Sequence, residues 1–230
     1  MAQGLIVRVV FLGNSLVWGG YGGNFVEEVA RLAPEHDIIN AGVGGNTVIN
    51  LVNRVDGVLS TYEPDSIVVA VGGNDAISYT QPATRPYYQH THHIPNGYVS
   101  PDTFEQHYRE LLMRIQLGFA QAWVMLEPTE YNPAIVDTMK QYNDLARDVA
   151  QAMNVPVLDL MRHFPPNGLR DRPPLSLDTI HLIGKRVAEN WTDYEAEKER
   201  EGYTFTFDGF HLMPHTAAQV AKLVIDFLEL

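Results

Sequence analysis

Two short stretches far apart in the sequence could together activate a hydroxyl group. Ser15 follows the apolar run 5–12, and Asp208 and His211 belong to an Asp-Gly-Phe-His sequence near the end of the chain. An Asp three residues before a His can accept the Nδ1 proton and so direct Nε2 toward a Ser hydroxyl. A hydroxyl activated in this way attacks acyl groups, so these residue types predict a serine hydrolase.

The Asp208 and His211 pair has a competitor, because Asp178-Thr-Ile-His181 has the same spacing. We choose the later pair because Gly209 eases a turn and because the helical pattern after it is where a last sheet-covering helix is expected. The earlier pair lies in a segment that we interpret as an insertion, and we interpret it as a chance match.

Two glycine-rich stretches could supply hydrogen-bond donors for an oxyanion. Residues 40–47 precede a helical pattern, and their glycines let a backbone N–H point into a crevice. Asn74 follows Gly72 and Gly73 at the end of the apolar run 66–71, and its carboxamide can donate two hydrogen bonds without carrying a charge. Taken singly, the first stretch could be a flexible loop and Asn74 could be a cap.

The elements that must position these residues alternate between strand and helix patterns. Short apolar runs rich in β-branched residues are typical of strands buried on both faces of a parallel sheet. Strand patterns cover residues 5–12, 37–40, 66–71, 122–126 and 155–158, and helical patterns cover residues 24–33, 47–59, 102–119, 132–153 and 216–230. This alternation predicts a single α/β domain over residues 1–230, with ligands bound outside the carboxyl ends of the strands.

In this order, the four stretches resemble the SGNH/GDSL hydrolase superfamily. The likeness covers nearly the whole chain and rests on Gly13-Asn14-Ser15-Leu16, residues 40–47, Gly72-Gly73-Asn74-Asp75, Tyr142-Asn-Asp-Leu, Val157-Leu-Asp159-Leu and Asp208-Gly-Phe-His211. The resemblance implies a three-layer α/β/α fold around a flavodoxin-like parallel five-stranded sheet of order 2-1-3-4-5. It implies no metal and no organic cofactor.

The resemblance also implies a role for each site residue. Ser15 would be the nucleophile, His211 the general base and then acid, and Asp208 the residue that orients His211. The backbone N–H groups of Ser15 and Gly45 and the side-chain amide of Asn74 would form the oxyanion hole.

One residue departs from the family pattern. The family usually has Asp before the nucleophilic Ser, whereas this chain has Asn14. Asn keeps an acceptor oxygen that can brace the loop but lacks the negative charge, so the electrostatics around Ser15 differ from those of the usual motif.

Two segments exceed what a minimal version of this fold needs. Residues 76–101 hold four tyrosines, four prolines and the run His90-Thr-His92-His93, and residues 161–207 hold a charged helical pattern over 185–200. Both leave the carboxyl ends of strands, so they should flank the crevice either as a lid or as ordinary surface loops. The three histidines lack a second set of ligands, so we expect them to be solvated and expect no metal site.

Carboxylates at strand ends suggest a different chemistry. Glu127 and Asp75 could be the pair of a glycosidase, but the Ser, His and oxyanion set accounts for more residues. Asp159 ends the last strand, but Asp208 is closer in sequence to His211. We therefore expect Asp159 to brace a loop.

Composition narrows the classes of partner. A formal net charge of −12 and a pI near 5.1 disfavour nucleic acids and anionic lipid surfaces. The absence of Cys excludes disulfides and thiol catalysis. No stretch approaches a membrane span and the N-terminal run lacks a basic region, so we expect a cytoplasmic protein, although a removed leader would leave no trace here. The sequence gives no oligomeric state.

These observations predict a carboxylic ester hydrolase that works through an acyl-enzyme. We expect short-chain, acetyl-like esters of sugars or other small alcohols as substrates, since Leu16, Val17 and Trp18 give a short apolar neighbourhood beside the tyrosine-rich insertion. A lipid ester or thioester hydrolase and a non-catalytic ligand-binding module on the same fold are the alternatives. A nucleotide or flavin binder is disfavoured because no G-x-G-x-x-G or Walker pattern follows the first strand.

Overall fold

The computed structural model describes residues 6–230 and contains a five-stranded parallel sheet. The strands are β1 (Arg8–Gly13), β2 (Asp37–Gly42), β3 (Ser66–Ala70), β4 (Gln121–Leu126) and β5 (Val157–Asp159). They lie in the order β2-β1-β3-β4-β5, and each neighbouring pair is parallel. The sheet order implied by the resemblance is confirmed.

Helices cover both faces of this sheet. They are α1 (Ser15–Trp18), α2 (Phe25–Leu32), α3 (Val48–Tyr62), α4 (Gly73–Thr80), α5 (Arg85–Thr91), α6 (Pro101–Leu117), α7 (Pro133–Ala152), α8 (Leu160–His163), α9 (Leu177–Ala188), α10 (Tyr194–Glu201) and α11 (Pro214–Leu228). Helices α3, α6 and α7 pack on one face, and α2 and α11 pack on the other. The predicted three-layer α/β fold is confirmed.

The apolar strand patterns are explained by burial on both faces. Val10 and Leu12 of β1 point into the core shared with α3, α6 and α7, whereas Val9 and Phe11 point toward α2 and α11. All four side chains are buried. Because successive strand residues point to opposite faces, only a strand with helices on both sides accepts such a continuous run.

Most boundaries agree with the sequence patterns to within a few residues. Helix α7 begins at Pro133, where the Asn132 side chain accepts a hydrogen bond from Ile135 N at 2.9 Å and caps the helix. The first strand is shorter than predicted, because Ile6 and Val7 precede it and Leu5 lies outside the described residues. Within residues 6–230, no helix is long and apolar enough to cross a membrane.

Both predicted insertions contain helices of their own. Residues 76–101 form the end of α4, helix α5 and two short 3₁₀ turns, Pro82–Thr84 and Pro95–Gly97. The single helical pattern predicted over 185–200 is wrong, because α9 ends at Ala188 and α10 begins at Tyr194. Asn190 lies between them with a φ of 51°, a left-handed conformation that interrupts helical geometry.

Candidate active site

Ser15 lies where β1 turns directly into the short helix α1, at the carboxyl edge of the sheet. Asn14 caps this helix, and its Oδ1 accepts a hydrogen bond from Leu16 N at 2.9 Å. The side chain of Ser15 is partly exposed, so it is accessible from the crevice. As the first residue of α1, Ser15 has a backbone N–H that the helix itself leaves unbonded.

Asp208 and His211 are brought to Ser15 by a turn before α11. Asp208 Oδ1 accepts hydrogen bonds from His211 N at 2.8 Å and from Phe210 N at 3.0 Å. Its other oxygen lies 2.7 Å from His211 Nδ1, and His211 Nε2 lies 3.1 Å from Ser15 Oγ. The structure therefore brings together three residues that the sequence places up to 196 positions apart.

The partners of His211 define its neutral tautomer. An ionised carboxylate can only accept a hydrogen bond, so Nδ1 carries the proton and Nε2 is free to accept the Ser15 hydroxyl. Burial opposes ionisation of Asp208 and is the largest single influence on it, but the neighbouring His211 and the two backbone N–H groups together lower the pKa of its carboxyl. Asp208 thus remains an acceptor at neutral pH.

Gly45 lies in the loop between β2 and α3, beside the crevice. Its φ of 77° is in the left-handed region, and a Cβ at this position would be only 2.2 Å from His92 Nε2. A side chain is therefore excluded on both conformational and steric grounds. His92 packs behind this loop, and its Nε2 is buried with no hydrogen-bond partner among the described residues.

Asn74 lies in the first turn of α4, and hydrogen bonds fix the orientation of its amide. Its Nδ2 donates to Asn46 O at 3.0 Å, and its Oδ1 accepts from the Tyr88 hydroxyl at 2.9 Å. Since a carbonyl oxygen can only accept, the contact with Asn46 identifies the nitrogen without ambiguity. The second N–H of Asn74 remains available to a ligand.

A cavity of about 750 Å³ adjoins these groups. Ser15, Asn74 and His211 line it, together with residues from both insertions. The first insertion contributes Tyr87, Tyr88 and Thr91, and the second contributes residues of α9 that include Ile180 and Ile183. The insertions therefore shape access to Ser15, as expected from their departure points.

The second Asp-x-x-His pair and Asp159 are separate from the hydrogen bonds that join Asp208, His211 and Ser15. Asp178 and His181 are exposed in the first turns of α9, and of the two only His181 lines the cavity. Asp159 caps α8 and pairs with Arg147 at 2.6 Å and Arg162 at 3.2 Å. Asp159 therefore braces the end of β5, as its position predicts.

His90, His92 and His93 do not converge on a common point. His90 and His93 are exposed, whereas His92 is partly buried against Tyr87 and Gly45. The prediction that all three histidines are solvated is therefore wrong for His92. Its imidazole fits against the loop because Gly45 has no side chain. Within residues 6–230, no group of three or more His, Cys, Asp or Glu side chains is placed to hold a metal ion.

Sequence reasoning considered Glu127, in the loop after β4, only as a glycosidase carboxylate, and it missed Glu130 altogether. Glu127 and Glu130 are each only 3% exposed, and both are fully engaged as hydrogen-bond acceptors. Glu127 contacts Asn14 and Gly73, and Glu130 contacts the segment before Asp208. The available signal was a Glu-Pro-Thr-Glu sequence following a buried strand, where acidic side chains are unusual unless they are paired.

Arg54 of α3 is a second residue that sequence reasoning missed. Its guanidinium donates hydrogen bonds to Gly13 O at 3.0 Å, Ala41 O at 2.8 Å and Asn46 Oδ1 at 2.9 Å. It thereby joins the ends of β1 and β2 to the loop that contains Gly45. No motif signals such a residue, because two of its three partners are main-chain carbonyls of other elements.

A sequence model described as the GDSL-like Lipase/Acylhydrolase family matches residues 11–184. The chain belongs to this family. It is accordingly a serine carboxylic ester hydrolase. The matched region of this GDSL-like hydrolase includes Ser15, Gly45 and Asn74, whereas Asp208 and His211 lie beyond its end.

Solved structures share the fold of this GDSL-like hydrolase. The acetyl xylan esterase AlAXEase is 19% identical, with 96% of this chain and 98% of that chain covered and a TM-score of 0.67. Axe2, an acetylxylan esterase from Geobacillus stearothermophilus, is 18% identical over 100% and 97% of the two chains, with a TM-score of 0.68. The hydrolase LAE5 from the metagenome of Lake Arreo, Spain, is 18% identical over 100% and 97%, with a TM-score of 0.66. No curated protein matches the sequence.

Proposed function

We propose that this GDSL-like hydrolase cleaves esters through an acyl-enzyme on Ser15. The observation that carries the proposal is the continuous hydrogen-bonded series from Asp208 to His211 to Ser15, with contacts of 2.7 and 3.1 Å. His211 Nε2 takes the hydroxyl proton while Ser15 Oγ attacks the ester carbonyl carbon. The imidazolium that forms is stabilised by the Asp208 carboxylate.

The tetrahedral oxyanion is held by three donors in this proposal. They are the backbone N–H groups of Ser15 and Gly45 and the free N–H of Asn74. Collapse of the intermediate breaks the bond to the alcohol oxygen, which leaves with the proton from His211. A water molecule then attacks the acyl-enzyme with His211 again acting as base, and the acid product and free Ser15 are released.

Short acyl groups on a sugar or another small alcohol are the proposed substrates. Aromatic side chains on several sides of the cavity, including Trp18, Tyr87, Tyr131 and Phe210, suit a sugar ring that is partly solvated. Two of the similar solved structures are of acetyl xylan esterases, which supports this choice. The volume of about 750 Å³ and the apolar residues of α9 favour longer acyl chains as the second candidate.

Covalent labelling tests the proposed nucleophile. Wild type, Ser15→Ala and His211→Ala would be incubated with a fluorophosphonate, and adducts would be located by peptide mass spectrometry. We expect a single adduct on Ser15 in wild type and none in either variant. If wild type takes no adduct, or takes one at another residue, the proposed mechanism fails.

Substrate class is tested with a series of esters. Initial rates would be compared for p-nitrophenyl esters from acetate to decanoate and for a peracetylated xylose, with release of acetate measured directly. The highest kcat/KM on acetate, together with release of acetate from the sugar, would support the proposed substrate. A maximum at decanoate would instead establish the second candidate.

A further inference from the structure

The carboxylate of Glu127 connects two turns of the site through hydrogen bonds. Its Oε1 accepts a hydrogen bond from Asn14 Nδ2 at 2.7 Å, and its Oε2 accepts one from Gly73 N at 2.7 Å. Its own carbonyl oxygen accepts from Asn143 Nδ2 at 2.9 Å, which anchors the loop to α7. Each oxygen of one buried carboxylate therefore holds a different segment of the chain.

The two segments carry Ser15 and Asn74, which in the proposed mechanism must both face the ester carbonyl of the substrate. Asn14 caps α1 through Leu16 N and so fixes the turn that presents Ser15. Gly73 directly precedes Asn74. A Cβ on Gly73 would be only 2.9 Å from Glu127 Oε2, so the close contact itself requires glycine.

We propose that Glu127 is a positioning residue that sets the Ser15 turn and the Asn74 turn relative to each other, and that Asn14 makes this link possible. The inference rests on the roles proposed above for Ser15 and Asn74. Glu127 does not touch the reacting atoms. It acts by fixing the geometry in which nucleophile and oxyanion donor meet, to which rates are very sensitive.

The donor and acceptor pattern explains why residue 14 is Asn. Asn14 offers an acceptor to Leu16 N and a donor to Glu127, so both of its side-chain polar atoms are hydrogen-bonded. An Asp at this position would place two carboxyl groups in contact, and one of them would have to hold a proton. The departure from the usual family motif is thus matched by an acceptor 113 residues away.

The charges around Glu127 are consistent with this link. Burial raises the pKa of its carboxyl to about 7, while the Gly73 N–H, the Asn14 amide and His211 act in the opposite direction. Asp75 is the other buried acid that interacts with it. The carboxylate is therefore ionised, and accepts both hydrogen bonds, at mildly alkaline pH.

A swap of the two side-chain types tests the link. Glu127→Gln alone turns one acceptor into a donor that faces Asn14 or Gly73 N. Asn14→Asp alone opposes two carboxyl groups. In the double variant Asn14→Asp with Glu127→Gln, the carboxylate introduced at position 14 accepts hydrogen bonds from Leu16 N and from the amide nitrogen introduced at position 127. The oxygen of that amide accepts from Gly73 N. All donors are then paired again, with the charge moved from one residue to the other.

The readouts are kcat and KM for p-nitrophenyl acetate at about pH 8, with thermal unfolding to establish that each variant is folded. We expect each single substitution to lower kcat by about 10- to 100-fold with a smaller change in KM. The double variant is expected to be about tenfold or more above the weaker single variant. A role in packing alone would give no such recovery, because the volumes hardly change.

The inference would be overturned if folded Glu127→Gln kept the wild-type kcat. It would also be overturned if the kcat of the folded double variant were no higher than that of the less active single variant. If neither variant with the introduced amide folds, Asn14→Asp decides alone, and wild-type kcat in it would overturn the inference. Failure of the proposed function is distinguishable, because wild type would then hydrolyse no ester and take no fluorophosphonate adduct.

Discussion

At the scale of single residues, Asp208 fixes the orientation of His211. Its two oxygens bind three hydrogen-bond donors, which hold the His211 backbone and ring together. An Asn at this position would place either an oxygen or an N–H toward Nδ1, so the imidazole would no longer be held in one tautomer. The same turn would remain closed through its backbone contacts.

We therefore expect Asp208→Asn to lower kcat by about 10³- to 10⁴-fold. The matched control is Asp178→Asn, which changes the other Asp-x-x-His sequence and should leave kcat unchanged. Both are measured with p-nitrophenyl acetate. A loss of kcat in Asp178→Asn with none in Asp208→Asn would mean that Asp178 and His181 form the catalytic pair.

Asn74 depends on a tyrosine from the first insertion. Asn74→Ala is expected to lower kcat by about 10²- to 10³-fold, because one of the three proposed oxyanion donors is lost. Tyr88→Phe removes only the donor to Asn74 Oδ1 and frees the amide to rotate, so we expect a smaller loss of about tenfold in kcat. Tyr98→Phe, in the same insertion, is the control and should have no effect. An unchanged kcat in Tyr88→Phe would show that Asn46 alone holds the amide.

At the scale of elements, the loop after β4 connects parts that never meet in sequence. Glu130 accepts hydrogen bonds from the backbone N–H groups of Thr204, Phe205 and Thr206 and from both threonine hydroxyls. The Thr129 hydroxyl and the Glu130 backbone N–H also donate to Gly209 O. The turn that carries Asp208 and His211 is thus built onto this loop.

Loss of the Glu130 charge is expected to destabilise the fold. Charge-assisted hydrogen bonds contribute more than neutral ones, so Glu130→Gln should lower the free energy of unfolding by about 2 kcal/mol. The measurement is urea unfolding. Glu199→Gln, an exposed residue on α10, is the matched control and should have no effect. Equal stabilities would mean that the segment 204–206 is held by its other contacts.

The elements themselves were predictable, and the contacts between their loops were not. Apolar runs such as 66–71 and helical patterns such as 132–153 are local signals, and they predicted strands and helices to within a few residues. The Glu127 contact with Asn14 spans 113 residues and depends on how two loops pack, which no local pattern encodes. The break between α9 and α10 was missed because charged residues continue on both sides of it.

At the scale of the whole molecule, two buried acids make stability depend on pH. Burial raises the pKa of Asp75 to about 8 and that of Glu127 to about 7, and the two interact. In the unfolded chain both would ionise near pH 4. Between about pH 4 and 8 the folded chain therefore binds more protons, so its stability falls as pH rises through this window.

We expect Asp75→Asn to flatten this dependence. The introduced amide can still accept from Val48 N, as the carboxylate does at 3.0 Å, but it does not ionise. Each raised acid contributes a slope of at most about 1.4 kcal/mol per pH unit. Urea unfolding at about pH 5, 7 and 9 measures it. Asp226→Asn, on the exposed side of α11, should keep the wild-type slope.

The expected cytoplasmic location stays a prediction, because neither the sheet nor the site depends on compartment. Both insertions line the cavity, as their predicted position beside the crevice implies. No residue of α9 is buried, so this helix adds surface to the site and little to the core.

The distance in sequence between Ser15 and His211 has a consequence during synthesis. Ser15 leaves the ribosome before His211, which follows 196 residues later in the turn just before α11. A nascent or truncated chain that lacks this last segment has no activated serine, however well its sheet has formed. Reaction with a fluorophosphonate would therefore report the fraction of molecules in which the turn that carries His211 has been synthesised and has packed against Ser15.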